Sequence, residues 1–251
     1  MEKLTPKAVI FDLGSTLIDY EKTPWDILAK ECMANVAKVL RKQHNNIPED
    51  EKFIDLFESV KSEYRKLAAD KYIEWSIPQA VKSLLRKIDI EADEVMISKL
   101  FDAYYKPVEK NLEVYNDTFD TLSKVKEAGK TIGLVSNTIF PASAHIGELK
   151  RFDLTEFFDF KIFSSTFGVR KPHADIFLAA ANRAGVAPSE CVYIGDRYLE
   201  DVTGPESIGM PAILKKLEKR EYPKDMPENI RTISTLSGIL DYIDLGNDEV
   251  N

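Results

Sequence analysis

Residues 8–19 read AVIFDLGSTLID, four apolar residues from Ala8 to Phe11 running straight into Asp12-Leu13-Gly14-Ser15-Thr16. A short unbroken apolar run reads as a strand buried on both faces, and its abrupt polar end reads as a loop. Runs of the same kind recur in the second half of the chain: Ile132 to Val135 before Ser136-Asn137, Val192 to Ile194 before Gly195-Asp196, and Ala212 to Leu214. A shorter strand is expected near Phe160 to Phe163, and Ile230 to Ile233 adds a last one before a closing helix. Helix-length segments separate them: Thr118 to Ala128, one from about Pro141, Ala174 to Ala184, and Asp201 to Ile208. Strands alternating with helices predict a parallel sheet covered on both faces, a Rossmann-like three-layer α/β/α core.

From about Pro24 to about Asn111 the texture is different, with long charged segments of helical period. Four helices are expected there: Trp25 to Arg41, Glu49 to Ala69, Ile77 to Lys87 and Ala92 to Tyr105. The first buries Ile27, Leu28, Met33, Val36, Val39 and Leu40. A block of roughly 90 residues is far longer than a βα connection of about 2 to 6. It is therefore expected to be an inserted all-α domain, giving a core of residues 1–18 and 112–251 and a helical cap of residues 19–111.

The formal net charge of −8 argues against nucleic acid or an anionic membrane as partner. No stretch is long and apolar enough for a membrane span, and the first residues do not form a signal peptide. Cys32 and Cys191 stand outside any paired motif, which fits a reducing, cytoplasmic setting, with Cys191 read as a buried strand thiol. The tail GNDEVN is expected to fray. The sequence fixes no oligomeric state.

In an open parallel sheet, ligands bind at the carboxyl ends of the strands. Asp12, Ser136-Asn137, the Lys171 segment and Gly195-Asp196 are read as four such ends. Each has an ordinary structural explanation alone: a turn acid, a helix cap, a solvated cation, an acid at a helix start. Together they form the set that phosphoryl transfer requires. A carboxylate attacks phosphorus, hard oxygen ligands hold a divalent metal that offsets anionic repulsion, and a hydroxyl and a lysine hold the phosphoryl oxygens.

The motifs AVIFDLGSTLID (8–19), TIGLVSNT (131–138), FGVRKPHADIF (167–177) and CVYIGDRYLEDVTGPESIGM (191–210) resemble, in order and spacing, those of the haloacid dehalogenase-like hydrolase superfamily. The position of the helical insert resembles members with a type 1 cap. The resemblance implies a phosphatase acting on a small phosphorylated metabolite through an aspartyl-phosphate on Asp12. It implies Mg²⁺ held by Asp12, the Gly14 carbonyl, Asp196 and Asp201. It also implies that Ser136, with backbone N–H groups around Leu13 and Asn137, holds the phosphoryl group, while Lys171 bridges it to Asp12.

One position departs from the pattern. The family's first motif carries a second aspartate two residues after the nucleophile, as general acid and base, and here that residue is Gly14. The carbonyl survives but the proton donor does not, a loss of about 10² to 10⁴-fold where nothing replaces it. The expected consequences are a substrate with a good leaving group, such as a sugar-1-phosphate or acyl phosphate, a substitute donor such as Asp19 or a cap side chain, or a weakened phospho-ligand-binding protein. Metal-independent 2-haloacid dehalogenases also lack that aspartate, but Asp196 and Asp201 favour the metal-dependent reading. His173 is read as a helix start, and His44 and His145, in a loop and a surface helix, are given no chemistry. Trp25, Tyr64, Tyr72, Trp75, Tyr104 and Tyr105 are read mainly as packing. Arg41 and Lys42 suit the end of the first cap helix.

Overall fold

The computed structural model describes residues 2–246. Its elements, in chain order, are β1 (Ala8–Phe11), β2 (Ile18–Asp19), α1 (Trp25–Leu40), α2 (Asp50–Ala69), α3 (Ile77–Lys87), α4 (Glu94–Lys110) and β3 (Glu113–Val114). The chain continues with α5 (Thr118–Glu127), β4 (Thr131–Ser136), α6 (Ala142–Arg151), β5 (Phe160–Phe163), α7 (Ser164–Phe167), α8 (Ala174–Ala184) and β6 (Cys191–Gly195). The last elements are α9 (Gly204–Glu206), β7 (Ala212–Lys215), β8 (Thr232–Ile233) and α10 (Ile239–Tyr242).

Six strands form one parallel sheet in the order β5-β4-β1-β6-β7-β8. The continuous apolar runs have the expected cause, since alternate residues of β1 feed two different packed layers. Val9 and Phe11 join Leu122 and Val125 of α5 and Ile239 of α10, while Ala8 and Ile10 join Ile176, Phe177 and Ala180 of α8. The sheet is thus the middle layer of an α/β/α core. No described helix is long and apolar enough to cross a membrane.

Four helices occupy the chain between β2 and β3. The two short strands pair antiparallel, Ile18 with Val114 and Asp19 with Glu113, so the chain leaves the sheet layer and returns to it side by side. Thr118 Oγ1 donates to the Leu17 carbonyl at 3.0 Å and reinforces that junction. The helices dock back on the sheet layer at two places. Arg170 N donates to the Tyr72 carbonyl at 2.8 Å, and Glu74 N donates to the Gly168 carbonyl at 3.0 Å. Phe140, from the loop after β4, inserts among Phe101, Tyr104 and Tyr105, with ring centroids 5.0 to 6.4 Å away.

Several boundaries differ from the sequence reading. α4 runs on to Lys110 with Pro107 inside it, because Tyr104, Tyr105 and Val108 keep burying surface past the residue where the pattern weakens. Ile27 of α1 is exposed, and Cys32 and Ala37 take part in the buried face instead. The helix expected from Asp201 to Ile208 is a π-turn over Tyr198–Thr203 followed by the short α9. The last strand is confined to Thr232–Ile233. Cys191 lies buried and unpaired in β6, and Cys32 is buried and unpaired as well. The expectation of a frayed tail falls mostly on residues 247–251, outside the described residues.

Phe57 is 1% exposed and packs against Tyr104 at the centre of the helical block. Phe57→Ala is expected to cost about 3 to 5 kcal/mol, read from urea unfolding midpoints. A loss below about 1 kcal/mol would mean that these helices do not share one tightly packed interior.

Candidate active site

The register of the sheet positions the site. Phe11 pairs with Leu134 on one side and Ile194 on the other, so the next residue, Asp12, emerges between the ends of β4 and β6. Its N–H donates to the Ile194 carbonyl at 2.8 Å, which extends the ladder by one bond and fixes the direction of the carboxylate. Leu17 N and Ile18 N both donate to the Leu13 carbonyl, closing the following loop into a tight turn. Ser136 ends β4 and Asp196 follows β6, so both reach the same edge.

Lys171 is not at a strand end, contrary to the sequence reading. It lies in the loop between α7 and α8, eight residues beyond the end of β5. Asn137 brings it in: its side chain accepts from Lys171 N at 2.7 Å and donates to the Lys171 carbonyl at 2.9 Å. The ammonium then donates to Asp12 Oδ1 at 2.7 Å, Asp201 Oδ1 at 2.6 Å and Tyr193 Oη at 2.8 Å. Tyr193 in turn donates to the Val135 carbonyl at 2.8 Å.

The carboxylates of Asp12, Asp196 and Asp201 each offer an oxygen within 4.8 Å of the others, and all three residues are buried. Asp201 Oδ2 accepts from Arg197 N at 2.8 Å. Asp201 lies directly against the backbone of Gly195, where an added Cβ would come 2.3 Å from the Asp201 Cγ. Asp196 Oδ2 is met by the Arg220 guanidinium, which also reaches Glu21, whereas Asp196 Oδ1 is buried with no hydrogen-bond partner among the described residues. On Asp12, Oδ2 has only a 3.5 Å contact from Thr16 Oγ1. A buried acid cluster with an unmatched oxygen and hard carboxylate donors suits a divalent cation.

The electrostatics agree with that reading. Burial raises the pKa of Asp12, and the Asp201 charge adds to the rise while Lys171 opposes it. Burial, then the charges of Asp12 and Asp201, push Asp196 well above the ordinary carboxylate range. Burial also works against the charge on Lys171, but Asp12 and Asp201 outweigh it and hold the ammonium well above its usual value.

The four sequence-singled positions 12, 136, 171 and 196 therefore converge, and Asp201 joins them. Asp12, Gly14, Ser136, Asn137 and Lys171 line one cavity of about 480 Å³ roofed by the helical block. The Leu13 side chain is buried in the core, so only its backbone is available to a ligand. Trp25, Trp75 and Tyr104 also line the cavity, so part of the aromatic set expected as packing faces it, while Tyr64 stacks on Trp75 behind. Cations that the sequence left unassigned collect there too: Lys61, Arg65, Arg170 and Arg197. The i, i+4 spacing of Lys61 and Arg65 on one helix face was the available signal for two of them. Arg41 pairs with Asp50 away from the cavity, and His173 caps α8 by accepting from Asp175 N at 3.2 Å.

His145 is a correction. It is 3% exposed rather than on a surface helix, and its ring lines the cavity. Its Nε2 lies 2.6 Å from Thr138 Oγ1 and its Nδ1 lies 2.7 Å from Glu148 Oε2, to which Tyr20 also donates. Burial drives the imidazole pKa down to about 3 and lifts the Glu148 carboxyl to about 8, so burial favours the uncharged form of both groups although their geometry resembles an ion pair.

The stability consequence has a definite sign. The Glu148 value of about 8 stands above its ordinary 4.5, so between these values the folded chain binds more protons than the unfolded one. Stability is then lost as pH rises through that window. Melting temperatures measured at about pH 5 and about pH 9 should fall less in Glu148→Gln than in the parent chain. An equal fall in both would show that Glu148 is already ionised at neutral pH.

A family model described as haloacid dehalogenase-like hydrolase matches residues 6–209. A glyceraldehyde 3-phosphate phosphatase of Methanopyrus kandleri is 30% identical over 225 residues, covering 89% of this chain and 88% of that protein. A phosphoglycolate phosphatase of Escherichia coli is 32% identical over 128 residues, half of each chain. Among solved structures, a HAD phosphatase from Thermococcus onnurineus covers 100% of both chains with a TM-score of 0.66 at 24% identity. A 2-haloacid dehalogenase from Pseudomonas syringae covers 96% of this chain and 98% of its own, with a TM-score of 0.68 at 22% identity. Likeness at these identities speaks to the fold alone.

Proposed function

This chain belongs to the haloacid dehalogenase-like hydrolase family and is a phosphatase, and from that premise we propose that it hydrolyses a small phosphorylated metabolite through an aspartyl-phosphate on Asp12. The observation that carries the reading is the convergence of Asp12, Lys171, Asp196 and Asp201 in one buried cluster, two of whose members, Asp12 and Lys171, line the cavity, with Asp196 Oδ1 unpartnered among the described residues. We read residues 19–111 as the cap over a core of residues 1–18 and 112–251, and place the enzyme in the cytoplasm, where Cys32 and Cys191 stay reduced.

Asp12 Oδ2 is the attacking atom, because Oδ1 is held by Lys171 and Oδ2 is nearly free. Lys171 keeps the carboxylate oriented and ionised. Ser136 and the backbone N–H groups at Leu13 and Asn137 hold the phosphoryl oxygens, and the roof excludes bulk water during transfer. Asp12, Asp196, Asp201 and the Gly14 carbonyl would hold a Mg²⁺ ion, which when bound would supply charge that offsets repulsion between the carboxylates and the phosphate. Water then releases phosphate from Asp12.

Gly14 alone points to good leaving groups such as sugar-1-phosphates and acyl phosphates. The names glyceraldehyde 3-phosphate phosphatase and phosphoglycolate phosphatase point instead to alkyl phosphates with a second polar group, and we place the substrate in that class. The cationic wall of Lys61, Arg65, Arg170 and Arg197 suits such a compact, polar anion.

Phosphate release from a panel of small phosphate esters is expected to require Mg²⁺, to vanish on chelation, and to drop at least ~10³-fold in Asp12→Asn. Chloride release from a haloacid without metal would place the chain with the dehalogenases instead. Binding of Mg²⁺ and a phosphate analogue with no turnover across the panel would make it a phospho-ligand-binding protein.

A further inference from the structure

A glycine at position 14 removes the carboxyl that would protonate an alkoxide leaving group, yet the space above it is not empty. A Cβ at Gly14 would lie 3.4 Å from Tyr20 Cδ2 and 3.7 Å from Cε2, so the Tyr20 ring spans the place where that side chain would extend. Tyr20 lines the same cavity as Asp12, and its hydroxyl donates to Glu148 Oε2 and lies 3.2 Å from His145 Nδ1. Behind it the network is fixed. His145 and Glu148 share one face of α6 at spacing i, i+3, and Thr138, anchored by Phe140 N at 2.9 Å, holds the far ring nitrogen. Glu148 is 2% exposed, and its Oε1 has no partner among the described residues.

We propose that Tyr20, backed by Glu148 and His145, is the proton donor and acceptor that replaces the absent carboxyl at position 14. In the first half-reaction Asp12 Oδ2 forms a bond to phosphorus and the bond from phosphorus to the leaving oxygen breaks. The Tyr20 hydroxyl turns from Glu148 to that oxygen and gives it its proton, and Tyr20 takes the Glu148 carboxyl proton across the same contact, leaving Glu148 a carboxylate. In the second half-reaction water oxygen bonds to phosphorus and the bond from phosphorus to Asp12 breaks. The water proton passes to Tyr20 as the Tyr20 proton returns to Glu148, so every group is restored. The burial that keeps Glu148 protonated near neutral pH supports the direction of the first transfer. Tyr20 is the catalytic residue of this relay, and Glu148 and His145 are positioning residues behind it. The proposal rests on the covalent reading of Asp12.

The test compares kcat/KM for glyceraldehyde 3-phosphate, whose alkoxide needs a proton, with p-nitrophenyl phosphate, whose leaving group departs as a stable anion. Tyr20→Phe and Glu148→Gln keep the shape of the network and remove its ability to pass a proton. Each should lower the alkyl substrate by about 10² to 10⁴-fold, mainly in kcat, and lower it at least ~10-fold more than the aryl substrate. Adding Gly14→Asp to Tyr20→Ala should recover part of the alkyl rate, because the Cβ contact at that position is ordinary and the ring that spans the path of the carboxyl is then gone. A purely structural network predicts equal losses on both substrates and no recovery, and that result would overturn the relay. With Asp12→Asn inactive on both substrates, such a result condemns the relay alone. Turnover by Asp12→Asn would instead bring down the covalent reading beneath it.

Discussion

The ammonium of Lys171 sits between two buried carboxylates, and the rest of the site is arranged to keep it there. An ammonium has three protons to donate, and Asp12, Asp201 and Tyr193 take one each. Removing charge from water costs several kcal/mol per ion, and breaking a buried pair leaves the survivor uncompensated. The cluster is therefore stable only if all its members arrive together. Asn137 clamps the Lys171 backbone at both its N–H and its carbonyl, and Tyr193 ties the ammonium to the carbonyl of Val135. Strands β1, β4 and β6 are thus bound at their tips by one cation from a distant loop.

Room for this cluster depends on the backbone. Asp201 packs so closely on Gly195 that a side chain there would occupy the position of its carboxyl carbon. A single glycine at the end of β6 thereby lets the third acid reach Lys171 across the sheet tip. The π-turn over Tyr198–Thr203 completes the approach, because its first residues let Arg197 N donate to Asp201 Oδ2. At Gly14 the constraint is looser: a Cβ would make only ordinary contact with the Tyr20 ring, and that ring carries a hydroxyl from the exit of β2 to the buried acid of α6.

The fold and the floor of the site were largely legible because both are written in short local patterns. The apolar runs Ala8 to Phe11 before Asp12, Ile132 to Val135 before Ser136-Asn137 and Val192 to Ile194 before Gly195-Asp196 sit where the sheet ends, and parallel pairing brings such ends together whatever their separation in sequence. The walls were not legible. Tyr20 meets Glu148 across 128 residues and Arg220 meets Asp196 across 24, in a loop with no periodicity, so nothing local marks either pair. His145 has no local signature for a related reason: α6 has apolar and polar residues close to evenly mixed, and only the insertion of Phe140 and the roof of helices makes its His145-Glu148 face an interior one. The Lys171 motif marks the residue but not the length of loop that carries it, so its position off the strand ends has no local signature.

A likeness of fold spans phosphatases and haloacid dehalogenases alike, so the choice between them lies in the acid cluster. Displacing halide from carbon needs one carboxylate nucleophile and releases a stable anion. Two further buried acids beside it would raise its pKa and weaken it, as Asp201 does to Asp12 here, with no reaction charge to justify the desolvation. Attack on a phosphate ester is different. The nucleophile must approach an anion, and a bound divalent cation converts the extra carboxylates from a source of repulsion into ligands. Asp196 Oδ1, buried and unmatched, is an expense that the second chemistry explains and the first does not.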